Sequence, residues 1–406
     1  MTTHDPIKHI KFLRQALSQD KKPLSFFISA GCPLAVKMPA DQWPLIPDVE
    51  NLTQYVTNEL KSKTAEKNNY DKLIDEVILS ELGENNIEDI LSFVRGLKEV
   101  AVGNSVRGFT KEHLIELEKN ICNRITTKLE VNLPRKDTPY HKLAQWISID
   151  REKPIEVFTT NYDLLLEEAL EDIAIPYFDG FVGSRQSFFD LRAVEENLIP
   201  KHWTRLWKIH GSINWFQKEN KEVYRSSLTK ENGDSYLIFP SHLKYEQSRK
   251  MPYLALIDQL NRFVRQPNSL LIISGYSFND QHLNDTIINA LGANPNSMAI
   301  ALLFGTLTYE KDGATVERYP NAIKRAKGRN NLAIWSYDEA IIGTTRGKWK
   351  IPLEMEDEDN LANCIQTIPS TENSEEQHLL KLGDFSKLGD FLQALIGYNQ
   401  TKLDEK

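Results

Sequence analysis

Ile155-Glu156-Val157-Phe158-Thr159-Thr160-Asn161-Tyr162-Asp163, followed by Leu164 to Ile173 and Tyr177 to Gly183, is the stretch whose reading decides the rest of the chain. Ile155–Phe158 is β-branched and aromatic and is entered through Pro154, the pattern of a buried strand. Leu164, Leu165, Ala169, Leu170 and Ile173 then recur at helical spacing. The unit is a strand, a polar corner and a helix. In open α/β sheets ligands bind at the carboxyl ends of strands, where the next helix presents free N–H groups. Thr159, Thr160, Asn161 and Asp163 occupy such a corner. Asn161 or Asp163 capping the helix is the commoner use of these residue types there.

Working outward, the second half repeats strand, crossover, strand. Leu206-Trp207-Lys208-Ile209 delivers His210 to a glycine turn at Gly211, and Ser212 begins a departing strand. A histidine so placed serves proton transfer or hydroxyl binding, or is a structural histidine satisfied by backbone. Arg192 to Pro200 reads as a short helix, Gln217 to Gly233 as an exposed loop or hairpin tip, and Tyr236–Pro240 as a strand. Met251–Val264 is helical, and Ser269–Ile273 is a continuous apolar strand of the parallel-sheet kind. Its polar exit is Ser274-Gly275-Tyr276-Ser277-Phe278-Asn279-Asp280, and Gln281–Leu291 is the next helix. Met298–Phe304 is a strand, Asn321–Ala326 a short helix, and Leu332–Trp335 a final strand. This order predicts a doubly wound parallel α/β sheet.

Toward the amino terminus, Ile7–Leu17 is a short amphipathic helix broken by Lys21-Lys22-Pro23, and Leu24–Ile28 is a strand. Ser29-Ala30-Gly31-Cys32-Pro33 follows it. Small residues there let the backbone approach a ligand, and a plain tight turn is an equal reading. Pro44-Leu45-Ile46-Pro47-Asp48 is a rigid loop with one carboxylate. From Leu52 to about Ile147 glycine and proline become rare and helical stripes follow one another. Ile87, Ile90, Leu91, Val94 and Leu97 form one stripe; Leu114, Leu117, Ile121, Ile125 and Leu129 form a second; Tyr140, Leu143 and Trp146 suggest a third. The second could pack internally, the commoner fate, or against another subunit. Leu353–Asn363 is acidic, and Phe385, Leu388, Phe391, Leu392, Leu395 and Ile396 mark a last amphipathic helix that docks on the core or on a neighbouring subunit. The expected organisation is a sheet domain from residues 1–50 and 150–345, a helical insertion at 51–149, and an acidic linker with a C-terminal helix at 346–406.

The 406 residues carry a net charge of −8, with 40% hydrophobic and 26% charged residues, ordinary values for a soluble globular chain. That balance offers no basic stripe for phosphate backbones, so nucleic acid is expected only indirectly, through a partner. No apolar run is long enough to span a bilayer, and Met1–Lys11 has no apolar core of a secretory signal, so the expectation is a cytoplasmic protein without membrane contact. Cys32, Cys122 and Cys364 are the three cysteines; they lie far apart and cannot supply a four-cysteine zinc site.

Five corners in order carry a resemblance. Ser29-Ala30-Gly31-Cys32, Ile46-Pro47-Asp48, Thr159-Thr160-Asn161-Tyr162-Asp163, His210-Gly211-Ser212 and Ser274-Gly275-Tyr276-Ser277-Phe278 resemble the NAD-binding series of the sirtuin family. The pair TTNYD and KIHGS resembles in particular the sirtuin-like NAD hydrolases of bacterial antiphage defence. The helical insertion and the GYSF turn look most like the group that works with a HerA-type ATPase. The match spans roughly Leu24–Glu50 and Pro154–Trp335. It implies a Rossmann-like, sirtuin-type sheet, NAD as substrate without a metal, a HerA-type ATPase or helicase as partner, and a homo-oligomer.

The resemblance also implies roles. Ser29, Ala30, Gly31 and Cys32 would lie against the NAD diphosphate, and Asp48 would face the nicotinamide ribose. Asn161 would contact that ribose and position the attacking water, in a corner opened by Thr159; Asp163 would hold the corner or a ribose hydroxyl. His210 would act as base or orient a hydroxyl at the same ribose, and Gly275 and Ser277 would receive the adenosine or diphosphate end. Two departures stand out. Ser29 replaces the first glycine of the phosphate turn, and Pro33 removes an N–H that could have bound phosphate. The zinc module of the protein deacylases is missing, which favours hydrolysis of NAD itself over deacylation. A catalytically weak scaffold subunit of an ATPase–nuclease complex is the other alternative.

Overall fold

The structure, a computed structural model, describes residues 2–80, 86–134, 137–218, 220–226, 234–238, 252–352, 364–370 and 376–397. Its centre is a ten-stranded sheet. In chain order the strands are β1 (Thr3–His4), β2 (Leu24–Ile28), β3 (Glu156–Thr159), β4 (Tyr177–Phe178), β5 (Thr204–Lys208), β6 (Leu270–Ser274), β7 (Met298–Leu302), β8 (Leu332–Trp335), β9 (Glu339–Ile342) and β10 (Thr345–Trp349). Across the sheet they run β1-β10-β9-β8-β7-β6-β2-β3-β5-β4. From β8 to β4 every pair is parallel. The chain builds outward on one side of β2, then crosses back to β6 on the other. The topological switch point, where open α/β sheets leave a crevice, therefore lies between the carboxyl ends of β2 and β6.

Register sets the site. Ser274 pairs with Ile28, Ile28 with Thr159, and Thr159 with Lys208, so β6, β2, β3 and β5 end level with one another. These strands are largely buried on both faces because both faces are covered. Along β2, Phe26 and Ile28 enter one core and Phe27 the other, and Val157 and Phe158 of β3 divide the same way.

On the Phe26 face pack α1 (Pro6–Leu17) and the helices between β2 and β3: α2 (Val49–Leu60), α3 (Asn69–Leu79), α4 (Ile87–Val100), α5 (Lys111–Leu129) and α6 (Pro139–Ile147). All three sequence stripes are buried there, the Leu114–Leu129 stripe within the chain itself. Trp146 of α6 meets Phe26 edge-on, with ring centroids 5.3 Å apart. After β3 comes α7 (Leu165–Asp172). The opposite face carries α8 (Leu191–Glu195), α9 (Tyr253–Val264), α10 (Gln281–Ala293) and α11 (Pro320–Lys327). The last helix, α12 (Phe385–Leu395), docks on α6, where Lys142 Nζ pairs with Asp390 at 2.6 Å and Gln393 donates to Gln145 at 3.1 Å.

Three expectations need correction. Leu332–Trp335 is not the final strand: β9 and β10 follow it antiparallel, and β1 joins β10 in parallel, so the sheet is mixed at that edge. The helix expected from Arg192 to Pro200 is confined to Leu191–Glu195, started by Asp190, whose side chain accepts from Ala193 N. The stretch expected as an exposed loop or hairpin tip, Gln217–Gly233, includes a strand at Val223–Arg225, which joins Gly211–Gln217, Ser235–Ile238, Ser187–Phe189 and Phe181–Val182 in a five-stranded sheet. Phe239, Pro240, Met251 and the acidic Leu353–Asn363 stretch lie outside the described residues. Among the described residues no helix is long and apolar enough to cross a membrane.

Candidate functional site at the switch point

The two turns that leave β2 and β6 are in backbone contact. Ser29 N donates to Ser274 O at 3.1 Å and Gly31 N to Gly275 O at 2.9 Å. A Cβ on Gly31 would stand 2.9 Å from Gly275 Cα, and one on Gly275 would stand 2.7 Å from both the nitrogen and the Sγ of Cys32. Gly275 also has φ +69°, a region that disfavours any residue with a Cβ. Both positions thus require glycine for the crossing itself. Cys32 N donates to Ser29 O at 2.9 Å, closing the β2 turn, and Pro33 has no N–H. The amides of Ser29, Gly31 and Cys32 are consequently spent inside the fold. Ser29 itself is not among the residues of positive φ, so serine sits there without strain. Burial pushes the Cys32 thiol up to about 12, despite its contact with Ser274 Oγ, so it packs as an inert side chain.

Beside this crossing lies the corner after β3. Ser29 Oγ and Thr160 Oγ1 are 2.7 Å apart. Asn161 N donates to Thr159 Oγ1 at 3.0 Å, and its carboxamide gives Ser29 O a long 3.4 Å bond. The helix is capped by Leu164 without a side-chain bond, and Asp163, just before it, accepts from Leu165 N at 3.1 Å through Oδ1. Asn161 is left to face the β2 turn. Asp163 is buried, and burial lifts its carboxyl to about 6, with Lys208 pulling the other way. Lys208 is itself almost wholly inside; its ammonium binds Glu167 at 2.7 Å and the Asp163 carbonyl. Such a buried charge persists only where partnered.

The β5 corner is zipped to the β3 corner. Ile209 N donates to Thr159 O at 2.8 Å, Ile213 N to Tyr162 O at 3.0 Å, and Ser212 Oγ to Tyr162 O at 3.3 Å. Asn161 and His210 therefore leave adjacent strands two residues beyond a paired pair, about 5 Å being one strand spacing. His210 Nε2 lies 3.3 Å from Asp280 Oδ2. Asp280 starts α10, with its other oxygen accepting from Leu283 N at 3.0 Å. It comes from the exit of β6, which stands three strands away from β5. That pair spans the crevice mouth above β2 and β3.

The structure thus brings together Ser29, Ala30, Gly31, Cys32, Thr159, Asn161, Asp163, His210 and Gly275 at one end of the sheet. Ser277 is in the same exit turn and exposed. Asp48 stands apart: its carboxylate caps α2, accepting from Asn51 N at 2.8 Å, and among the described residues no hydrogen bond or ion pair joins it to the other corners. Sequence reasoning missed Asp280 as the partner of His210 and Tyr162 as a tie to the helical layer, where its hydroxyl donates to Glu88 Oε1 at 2.7 Å. The only sequence sign of Asp280 was an acidic residue before a helix.

Residues 155–323 match the family model described as SIR2-like domain. No curated protein matches the chain. Solved structures similar to it include one described as the structural basis for the mechanism and regulation of Sir2 enzymes, 12% identical with a TM-score of 0.34, over 74% of this chain and 86% of that one. Another is a point mutant of a Sir2 homologue in complex with ADP-ribose, 12% identical with a TM-score of 0.35, over 72% and 84%. The assignment of a sirtuin-type α/β fold rests on the family model and the sheet order. The SIR2-like match supports NAD-related enzyme chemistry, and Asn161, His210, Asp280, Gly275 and Ser277 lie within it.

Proposed function

We propose that this chain hydrolyses NAD to nicotinamide and ADP-ribose at the switch-point crevice. The observation that carries the reading is the delivery of Asn161 and His210 from adjacent, level strand ends, with Asp280 orienting the imidazole. Breaking the bond between the nicotinamide nitrogen and ribose C1′ releases neutral nicotinamide and builds positive charge on the sugar. Oriented oxygens and a positioned water answer that charge. Water oxygen bonds to C1′, and its proton passes to His210 and then to solvent. The Asn161 carboxamide would hold the ribose or that water, and Ser29 and Thr160 offer hydroxyls to the sugar. Asp280 fixes the tautomer of His210, as a carboxylate partner does for a working histidine.

The dinucleotide fits this crevice better through its riboses than through its diphosphate. The amides of Gly31 and Cys32, which would have cradled phosphate, are already bonded within the chain. That favours modest NAD affinity for the chain alone, and it is the observation behind the second reading, a catalytically weak scaffold subunit. An association with a HerA-type ATPase, a homo-oligomeric state, action in antiphage defence and a cytoplasmic location rest on the sequence resemblance and belong to this proposal. Deacylation ranks lowest, because the three cysteines are separately buried and free, and cannot make a four-cysteine module.

The test is to follow NAD by NMR with the full-length chain, alone and with a HerA-type ATPase, with and without an acyl-lysine peptide. Nicotinamide and ADP-ribose appearing without peptide support hydrolysis. Turnover only with peptide would replace it by deacylation, and no turnover in any mixture would leave the scaffold.

A further inference from the structure

The helical layer supplies a side chain to the candidate site that neither the motifs nor the family model covers. Helix α6 begins at Pro139, behind the capping Thr138, with its first turn at the carboxyl ends of the strands. Its second residue, Tyr140, is 1% exposed. The ring stands edge-on to Phe385 of α12, with centroids 5.2 Å apart. The hydroxyl lies against the Asn161 carboxamide, near Asp163 and Cys32, and burial drives the phenol well above its ordinary pKa. Yet among the described residues that hydroxyl reaches no partner at hydrogen-bond geometry.

A buried hydroxyl without a partner is rare, because it forfeits its bonds to water and gains none in return. Removing it would ordinarily be neutral or stabilising. Phenylalanine would fill the same space against Phe385 just as well. The Asn161 carboxamide donates one long bond, 3.4 Å, to Ser29 O. An amide that must present a defined face to a ribose or a water needs its rotamer fixed.

We propose that Tyr140 is a positioning residue for Asn161: on nucleotide binding its hydroxyl donates to the Asn161 carboxamide oxygen and locks the amide for attack. The inference rests on the NAD-hydrolysis reading and adds the helical layer to the site. It also places α12, through Phe385, one ring away from the reacting corner.

The experiment compares full-length wild type, Tyr140→Phe, Asn161→Ala and the double variant, by nicotinamide release and by thermal melting. Expected for Tyr140→Phe is a kcat lower by roughly 10- to 100-fold, with KM for NAD moved less than about threefold. Its Tm should be unchanged or higher, since only an unpaired hydroxyl is lost. Adding Tyr140→Phe to Asn161→Ala should change nothing further, because the hydroxyl acts through the amide. Wild-type turnover in Tyr140→Phe, or a full additional loss in the double variant, would overturn the inference while leaving hydrolysis intact. A kcat loss matched by a fallen Tm would reduce Tyr140 to a packing residue. Absence of nicotinamide release from wild type itself would remove the hydrolysis reading, and this inference with it.

Discussion

The two turns at the switch point and the two corners beside them look alike in sequence but are held differently. In the Gly31–Gly275 crossing, the amides of Ser29, Gly31 and Cys32 are bonded within the fold, and a Cβ at either glycine has nowhere to go. In the Asn161–His210 pair the side chains come from adjacent strand ends into one crevice, the Asn161 carboxamide donating to Ser29 O at 3.4 Å and His210 Nε2 lying 3.3 Å from Asp280 Oδ2. The first region spends its groups on shape. The second gathers side chains from distant parts of the chain at one crevice. A glycine signature can therefore report close backbone contact rather than a phosphate cradle.

The contrast is sharpest at Gly275. Replacing it by Ala puts a Cβ into a left-handed backbone position and 2.7 Å from Cys32. A loss of roughly 3–4 kcal/mol in denaturant unfolding is expected from strain plus overpacking. A mild effect would mean that the crossing is looser than described and the glycines serve a ligand after all.

Asp163 tests the corner through pH. Its folded-state carboxyl titrates near about 6, above the value of about 3.9 usual in an unfolded chain. Between those values the folded state binds more protons, so this group's contribution to stability is complete below the lower one and is lost as pH rises through the upper. Asp163→Asn keeps an acceptor for Leu165 N and removes the charge. At pH 7.5 it should be more stable than wild type by up to about 3 kcal/mol, with the advantage gone by pH 4. An advantage independent of pH would show that the carboxyl is not desolvated.

Asp280→Asn addresses the other side chain. It keeps the size of the partner but cannot hold an imidazolium, so kcat for nicotinamide release should fall on the order of 10-fold to 100-fold with little change in Tm. Full activity would make the His210–Asp280 contact incidental. The smallest expected effect is Tyr162→Phe, which removes the 2.7 Å bond to Glu88 and should cost about 1–2 kcal/mol in stability. A larger activity loss than that stability change explains would mean the helical layer acts on the corner.

Much of this was legible beforehand, and the reasons differ by element. Strands β2, β3, β5, β6, β7 and β8 are short apolar runs bounded by breakers, so their order and the α/β class followed from pattern. Strands β9 and β10 are short, mixed in polarity and joined at Gly343, and β1 has only two residues, so they carried too little signal. Asn161 and His210 stand out as polar residues after buried strands, where capping or a structural histidine is the commoner reading, and their catalytic roles come only from the resemblance. Asp280 does not stand out, because its contact with His210 bridges seventy residues of chain and its other oxygen performs an ordinary cap. Asp48 shows the converse: a motif acid whose carboxylate is engaged in starting α2. Tyr140 read as one more member of a core stripe, which it is, apart from its hydroxyl.

The most direct measurement is the rate of nicotinamide release from NAD by the full-length chain, in whichever assembly is active, beside folded Asn161→Ala and His210→Ala. The account predicts a loss of at least about 100-fold in each, with melting temperatures near wild type. Turnover at the wild-type rate in either variant would contradict it.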